Sequence, residues 1–250
     1  MGRQRVIACD IGHIAYGPAW DLQRRLQQRL IHAHQEGDAS LPHLFLLVEH
    51  PHVYTLGKNG NISHLLLSEE RLQAIGAAFF PIDRGGDITY HGPGQLVGYP
   101  ILDLNRLFTD LHRYLRTLEE IIIRTCATYG IEAYRVPGRT GVWTGASGEE
   151  RKICAMGIRT SRWVTMHGFA FNINTQLEYF SYIIPCGIAD RGVTSLAKEL
   201  GHPVDEEEVK AEILRHFEEL FDVDLTLLKG PAARQFVDTF SITKPTEQTL

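Results

Sequence analysis

Three short stretches of this 250-residue sequence concentrate side chains able to do chemistry. The first is Arg84-Gly85-Gly86-Asp87-Ile88-Thr89-Tyr90-His91-Gly92-Pro93-Gly94-Gln95-Leu96-Val97-Gly98, in which five of fifteen residues are glycine. Glycine permits positive φ and lets backbone approach a ligand closely, so such runs cradle phosphates, carboxylates or carbonyls. The run matches neither GxxxxGK[ST] nor a GxGxxG that opens a helix, so mononucleotide and Rossmann-type dinucleotide binding lack support. A tight strand–turn–strand connection would use the same glycines. Arg84, Thr89 and His91 add polar side chains around the turn and favour a ligand site.

The second stretch is Arg151-Lys152-Ile153-Cys154-Ala155-Met156-Gly157-Ile158-Arg159. In a regular strand Lys152 and Cys154 face one way, Ile153 and Ala155 the other. A lysine opening an apolar run can be desolvated towards its neutral form, which suits a base or a polar anchor. An edge-strand lysine reaching back to water is the ordinary alternative. The third stretch is Ile183-Ile184-Pro185-Cys186-Gly187-Ile188, where Pro and Gly hold a cysteine outside any helix or strand. That setting suits an accessible nucleophile. Cys154 is the competing candidate, while Cys9 and Cys126 lie in apolar elements and read as small buried hydrophobes.

Other candidates fall away. The His32/His34 and His50/His52 pairs have the H-x-H spacing of strand-borne metal ligands, but neither has a third ligand at recognisable spacing, so no metal site is expected. His167, followed by Gly168, reads either as catalytic or as a polar residue beside a strand. Ser147 lacks the GxSxG context of a hydrolase nucleophile.

These stretches need a scaffold. At 44% hydrophobic and 22% charged the chain is globular in composition, and at 28.2 kDa folding would bury roughly three quarters of the unfolded surface without disulfide staples. Four widely spaced cysteines with no CxxC pair suit a reducing cytosol. The Met1–Val6 opening has no extended apolar run, and no apolar run elsewhere approaches 18 residues, so neither a secretory signal nor a membrane span is expected. A net charge of −5 argues against broad nucleic-acid binding.

Periodicity predicts helices over about Pro18–Glu36, Glu69–Ile75 capped by Ser68, a long one from Thr109 or Asp110 to Gly130, and Asp205–Phe221. Strands are expected at Val6–Cys9, Leu44–Val48, Phe79–Ile82, Leu96–Leu102, Val142–Thr144, Ile153–Thr160 and Val164–Asn172. Beyond Asp222 the apolar pattern thins. The expectation is one α/β (α+β) domain over 1–222, a mixed sheet with packed helices, followed by a tail over 223–250 of unknown role.

The three stretches, in this order, resemble the lipoyl(octanoyl) transferases, that is, octanoyl-acyl-carrier-protein:protein N-octanoyltransferases. Supporting matches are Thr55-Leu56-Gly57, Gly141-Val142-Trp143, His167-Gly168-Phe169-Ala170-Phe171-Asn172 and Gly192-Val193-Thr194-Ser195-Leu196, and the resemblance spans roughly residues 40–220. It implies the fold of the biotin and lipoate protein ligase catalytic domains, with Cys186 as nucleophile and Lys152 as its partner. It also implies that Arg84, Gly85, Gly86, Asp87, Ile88, Thr89, Tyr90 and His91, then Ala155, Met156 and Gly157, then Gly168, Phe169 and Ala170, line the acyl-substrate site. Met156 departs from the commoner small or aliphatic residue, and Cys154 adds a second thiol.

The donor implied is octanoyl-acyl-carrier protein. The implied acceptors are apo lipoyl domains of 2-oxoacid dehydrogenase complexes and the glycine cleavage H protein, with no cofactor, in the cytoplasm. Two rival readings are an ATP-dependent lipoate or biotin ligase on the same fold and a non-catalytic module binding acyl-carrier or lipoyl domains. Acidic carrier partners would require a local basic face, for which Arg84, Arg151, Lys152, Arg159 and Arg162 are the candidates.

Overall fold

The computed structural model describes residues 2–184 and 192–241; Cys186 falls outside the described residues. Strands β1 (Gln4–His13) and β2 (His43–Glu49) run parallel, joined by helix α1 (Tyr16–Gln35). The Leu44–Val48 run is apolar throughout because both faces of β2 are covered. Phe45 and Leu47 join one core, and Leu44, Leu46 and Val48 join the other.

The chain then builds a separate three-stranded sheet from β3 (Val53–Leu56), β4 (Ala78–Pro81) and β5 (Ile88–His91), with β3 in the middle. Helix α2 (Glu69–Ala74) lies beside it and is capped by Ser68, as expected. Strand β5 sits inside the glycine-rich run, and β6 (Gln95–Ile101) leaves that run to enter the large sheet against β2.

Helix α3 (Leu111–Thr128) starts at Asp110, whose side chain accepts the Arg113 N–H at 2.9 Å. After it, β7 (Ala133–Val136), β8 (Arg139–Thr144), β9 (Arg151–Ser161) and β10 (Val164–Asn172) form an antiparallel meander. β10 docks on β6, so the large sheet up to this point reads β1-β2-β6-β10-β9-β8-β7. Helices α4 (Leu196–Leu200) and α5 (Glu206–Phe221) follow. α3 and α5 cover one face of the sheet, and α1 the other.

The expected tail is where sequence and structure part. Val223–Lys229 is an eighth strand, β11, parallel to β1 and in register from Gln4↔Val223 to Asp10↔Lys229. Gly230–Ser241 is a helix, α6, whose Ala233 and Val237 are buried in the same core as Leu22, Leu26 and Leu30 of α1. The folded unit therefore extends to Ser241 instead of ending at Asp222. The signal was weak for a physical reason: β11 is an edge strand with only Val223 buried, and α6 is short, with small Ala233 and Val237 as its buried apolar residues and Phe236 and Phe240 only partly covered. Among the described residues, no helix is long and apolar enough to cross a membrane.

Candidate active site

A cavity of about 510 Å³ lies between the glycine-rich run and the large sheet. Its floor includes Val97 and Tyr99 of β6, Gly168 and Ala170 of β10, and Ala155 and Gly157 of β9. Arg84, Gly85, Gly86, Asp87, Ile88, Thr89 and His91 wall it from the small-sheet side. Met156 and Phe169, paired across β9 and β10, border the cavity too, and Met156 also packs against the α3/α5 core.

The glycines explain how the loop can lie on the strand. A Cβ on Gly157 would stand 2.8 Å from Arg84 Cδ and 2.9 Å from Gly85 O, closer than side chains tolerate. With hydrogen there instead, Gly85 N–H donates to Ile158 O at 3.1 Å and closes the loop onto the outer edge of β9. Arg84 is a clamp more than a surface charge. Its buried guanidinium donates through Nη2 to Thr55 O at 2.8 Å and Thr55 Oγ1 at 3.0 Å, and through Nη1 to Gly85 O at 3.0 Å. Asp87 ties in a second loop: Oδ2 is 2.6 Å from His64 Nδ1, and Oδ1 accepts the Asn61 N–H at 3.3 Å.

Tyr90 is the exception among the expected lining residues. It alternates away from the cavity into the small-sheet core, its hydroxyl 2.7 Å from His52 Nδ1 and its ring stacked on Tyr179.

The Lys152 stretch departs from regular alternation. Val142 pairs with Cys154 and Trp143 with Lys152, so two adjacent residues of β8 oppose positions two apart in β9. Ile153 is the extra residue, a β-bulge. Because facing residues of paired strands share a side, Lys152 goes with Trp143 to the cavity and Cys154 goes with Val142 to the core. The expectation that Lys152 and Cys154 face the same way fails at this bulge. Lys152 Nζ lies 4.7 Å from the centre of the Trp143 ring, a cation–π placement that orders the side chain. Beyond the bulge, Gly192-Val193-Thr194 comes back alongside: Lys152 N–H donates to Gly192 O and Thr194 N–H to Lys152 O, each at 3.0 Å.

The three described cysteines are all buried, and burial pushes the thiols of Cys9 and Cys126 up to about 12 and that of Cys154 well above its ordinary value. None of them is a ready thiolate, which argues against Cys154 as the nucleophile.

Beneath the cavity runs a buried polar network that sequence reading did not find, because its members come from distant strands. His91 Nδ1 is 2.8 Å from Gln95 Oε1, Gln95 Nε2 donates to Asn172 Oδ1 at 2.9 Å, and Asn172 Nδ2 donates to Thr194 O at 2.9 Å. His50 bridges Ile14 O at 2.7 Å and the Tyr99 hydroxyl at 2.8 Å. Burial pushes His91 down to about 3 and His50 down to about 4, so both stay neutral. His167, at φ +58° and buried, sits 2.9 Å from Asp83 Oδ1. Burial lowers its pKa against the opposing pull of Asp83, whose carboxyl is in turn held low chiefly by the hydrogen bond from His167.

The H-x-H pairs are occupied elsewhere. His50 and His52 hold tyrosine hydroxyls, His34 contacts Asp103 and His32 contacts Glu36. Of the candidate basic face, Lys152 lies in the cavity and Arg162 is exposed, while the other three are engaged. Arg84 is buried, Arg151 is paired with Glu199 at 2.9 Å, and Arg159 is paired with Asp83.

Residues 16–218 match the lipoyl protein ligase A/B catalytic domain. The chain belongs to this family. An octanoyltransferase of Flavobacterium psychrophilum is 58% identical over 220 residues, covering 85% of this chain and 95% of the relative. An octanoyltransferase of Flavobacterium johnsoniae is 55% identical over 223 residues, covering 86% and 96%. Within the lipoyl protein ligase A/B family the chain thus groups with the octanoyltransferases, and it is an acyltransferase. A bipartite lipoate protein ligase from Thermoplasma acidophilum shares the fold, with a TM-score of 0.68 at 15% identity over 99% of this chain and 96% of that one.

Proposed function

We propose that this acyltransferase moves an octanoyl group from an acyl-carrier-protein thioester to a lysine of an apo lipoyl domain, through a thioester on Cys186. The observation that carries the reading is the bulge at Ile153, which turns a lysine into a cavity whose wall includes apolar Val97, Leu115, Met156, Ile158, Phe169 and Phe180. Of the described residues nearest Cys186 in sequence, Ile184 donates its N–H to His64 O at 2.9 Å, and Gly192 O accepts from Lys152 N–H at 3.0 Å.

The chemistry balances without a nucleotide. The Cys186 thiolate attacks the donor carbonyl, the carbonyl–sulfur bond to the carrier breaks, and the carrier thiol leaves with a proton. The acceptor amine then attacks the enzyme thioester, the bond to Sγ breaks, and the amine's proton is taken up at the site as the amide forms. One thioester replaces another in the first step, and amide formation drives the second.

Free thiols titrate near 8.5 and free lysine near 10.4, so neither residue is poised for this at neutral pH on its own. An ammonium on Lys152 favours the thiolate, and the apolar wall favours giving that proton up. As for the developing oxyanion, Phe169 and Ala170 are paired on both sides within the sheet, so their N–H groups serve the ladders. β9 continues past Cys154, where its pairing with β8 ends, and Ile158 O points to that side to meet Gly85 N–H; Met156 has the same parity, which makes its N–H the candidate oxyanion donor.

The test is octanoyl transfer from carrier to apo lipoyl domain in the absence of ATP. The expected result is turnover, with an octanoyl mass increase on a peptide containing Cys186. Cys186→Ser abolishes the adduct and Lys152→Ala slows both half-reactions by about 10²–10⁴-fold. A strict ATP requirement would mark a ligase instead, and carrier binding without turnover a docking module.

A further inference from the structure

We propose that Glu119, on helix α3 behind the sheet, is a positioning residue that sets the place of Lys152 through strand β8. This rests on the reading of Lys152 as catalytic.

The argument begins with β8, which is irregular on both edges. Towards β7, Val136 pairs with Arg139 but Tyr134 pairs with Trp143, so one residue of β7 faces three of β8. Towards β9 lies the bulge at Ile153. Between these two irregularities, Gly141 is assigned no strand partner. Its N–H is taken up by Glu119 Oε1 at 3.0 Å, where a neighbouring strand would ordinarily supply a carbonyl.

Glu119 is fully buried, and an isolated carboxylate there would cost several kcal/mol. It is compensated by two guanidinium groups on its other oxygen: Arg135 Nε at 3.0 Å and Arg116 Nη1 at 2.5 Å. Arg135 is the very residue of β7 that faces the irregular part of β8, and Arg116 is one turn away on α3. Three elements therefore converge on one carboxylate.

What the carboxylate holds is the wall against Lys152. Gly141 has φ +111°, and the position a Cβ would take there is 3.6 Å from Lys152 Cε and 2.6 Å from Cys154 O. Two residues on, Trp143 supplies the ring beneath the ammonium. A shift of Gly141 would move both the surface along which the lysine stem lies and the ring that holds its head. Misplacement by about 1 Å can cost roughly 10²-fold in rate. A buried carboxylate that merely stabilised the fold could point anywhere along α3; this one takes up the N–H of Gly141, beside the lysine.

The experiment is a double-mutant cycle on the full chain, read as the rate of octanoyl adduct formation by intact mass, with thermal unfolding in parallel. Glu119→Ala is expected to slow adduct formation by roughly 10–100-fold, with donor KM changed by less than about 3-fold. Glu119→Gln keeps an acceptor for Gly141 N–H and is expected to stay within about 5-fold of the parent. In a Lys152→Ala background Glu119→Ala should add no further loss, because it acts through the missing side chain.

An equal loss in both backgrounds would make Glu119 a general structural support and overturn the proposal. So would an undiminished rate in Glu119→Ala while Lys152→Ala is impaired, which leaves the reading of Lys152 intact. Full activity of Lys152→Ala overturns that reading and this proposal together. If Glu119→Ala does not fold, Glu119→Asp, which keeps the charge but withdraws the oxygen from Gly141, enters the same cycle. It is expected to lose about 5-fold or more only where Lys152 is present.

Discussion

A lysine and a cysteine two apart in a strand invite the reading that they share a face. One inserted residue, Ile153, separates them and decides which of the two meets the cavity. Residue types announce candidates; a bulge assigns them, and nothing in a single sequence marks where a bulge falls. Arg84 makes the same point from the charge side. Counted as a surface cation, it is instead a buried guanidinium holding the glycine-rich run to Thr55. Lysine cannot reproduce that fork, since it offers one compact ammonium where Arg84 reaches three oxygens. Arg84→Lys is therefore expected to cost about 1–3 kcal/mol of folding stability through weakened bonds to Thr55, and to slow acyl transfer by loosening the cavity wall. Urea unfolding and the transfer rate check it together; wild-type values in both would show that the fork holds nothing.

Helix and strand boundaries were legible in the sequence where amphipathic periods ran long, as in α1, α3 and α5, or where both faces of a strand were apolar, as in β2. They were illegible where tertiary pairing supplied what local pattern lacked. Strand β5 hides in a glycine run because its partner β3 completes it, and β11 hides after Asp222 because β1 does. The candidate site followed suit: the glycine-rich and Lys152 stretches meet at one cavity, while the polar network under it joins residues up to 77 positions apart and left no local trace. Treating 223–241 as an integral element has a direct consequence. Val237 is 2% exposed and packs among apolar side chains of β1 and α1, so Val237→Asp places a carboxylate in a site with no designed partner. The expected loss exceeds about 3 kcal/mol. Removal of everything after Asp222 should be worse, since it also bares the β1 edge from Gln4 to Asp10. Soluble, fully active protein from that truncation would restore the tail reading.

At the scale of the molecule, β1 and β11 pair segments 219 positions apart within one sheet, so the cores on its two faces are built to unfold together. That cooperativity lets a few buried titratable groups govern global stability. Burial pushes His43 and His91 down to about 3 and His50 to about 4, from an ordinary value of 6.5. Above pH 6.5 these rings are neutral in both states and contribute nothing to the pH dependence. Below it the unfolded chain binds protons that the native state refuses, so the unfolded state holds more protons and stability falls as pH falls. The loss continues down to about pH 4 for His50 and about pH 3 for His43 and His91. Each group contributes a slope of up to about 1.4 kcal/mol per pH unit within its window. Urea unfolding between pH 7.5 and pH 4.5 should accordingly show a steep decline beginning near pH 6.5. His43 isolates the cause because it is absent from the cavity lining and accepts only the Asp103 N–H, at 3.1 Å. His43→Gln keeps an acceptor for that N–H without a titrating ring, and should flatten the decline by up to about 1.4 kcal/mol per pH unit while leaving transfer activity at pH 7.5 unchanged. An unaltered slope would mean that His43 is protonated in the folded protein, and that the acid sensitivity comes from other groups.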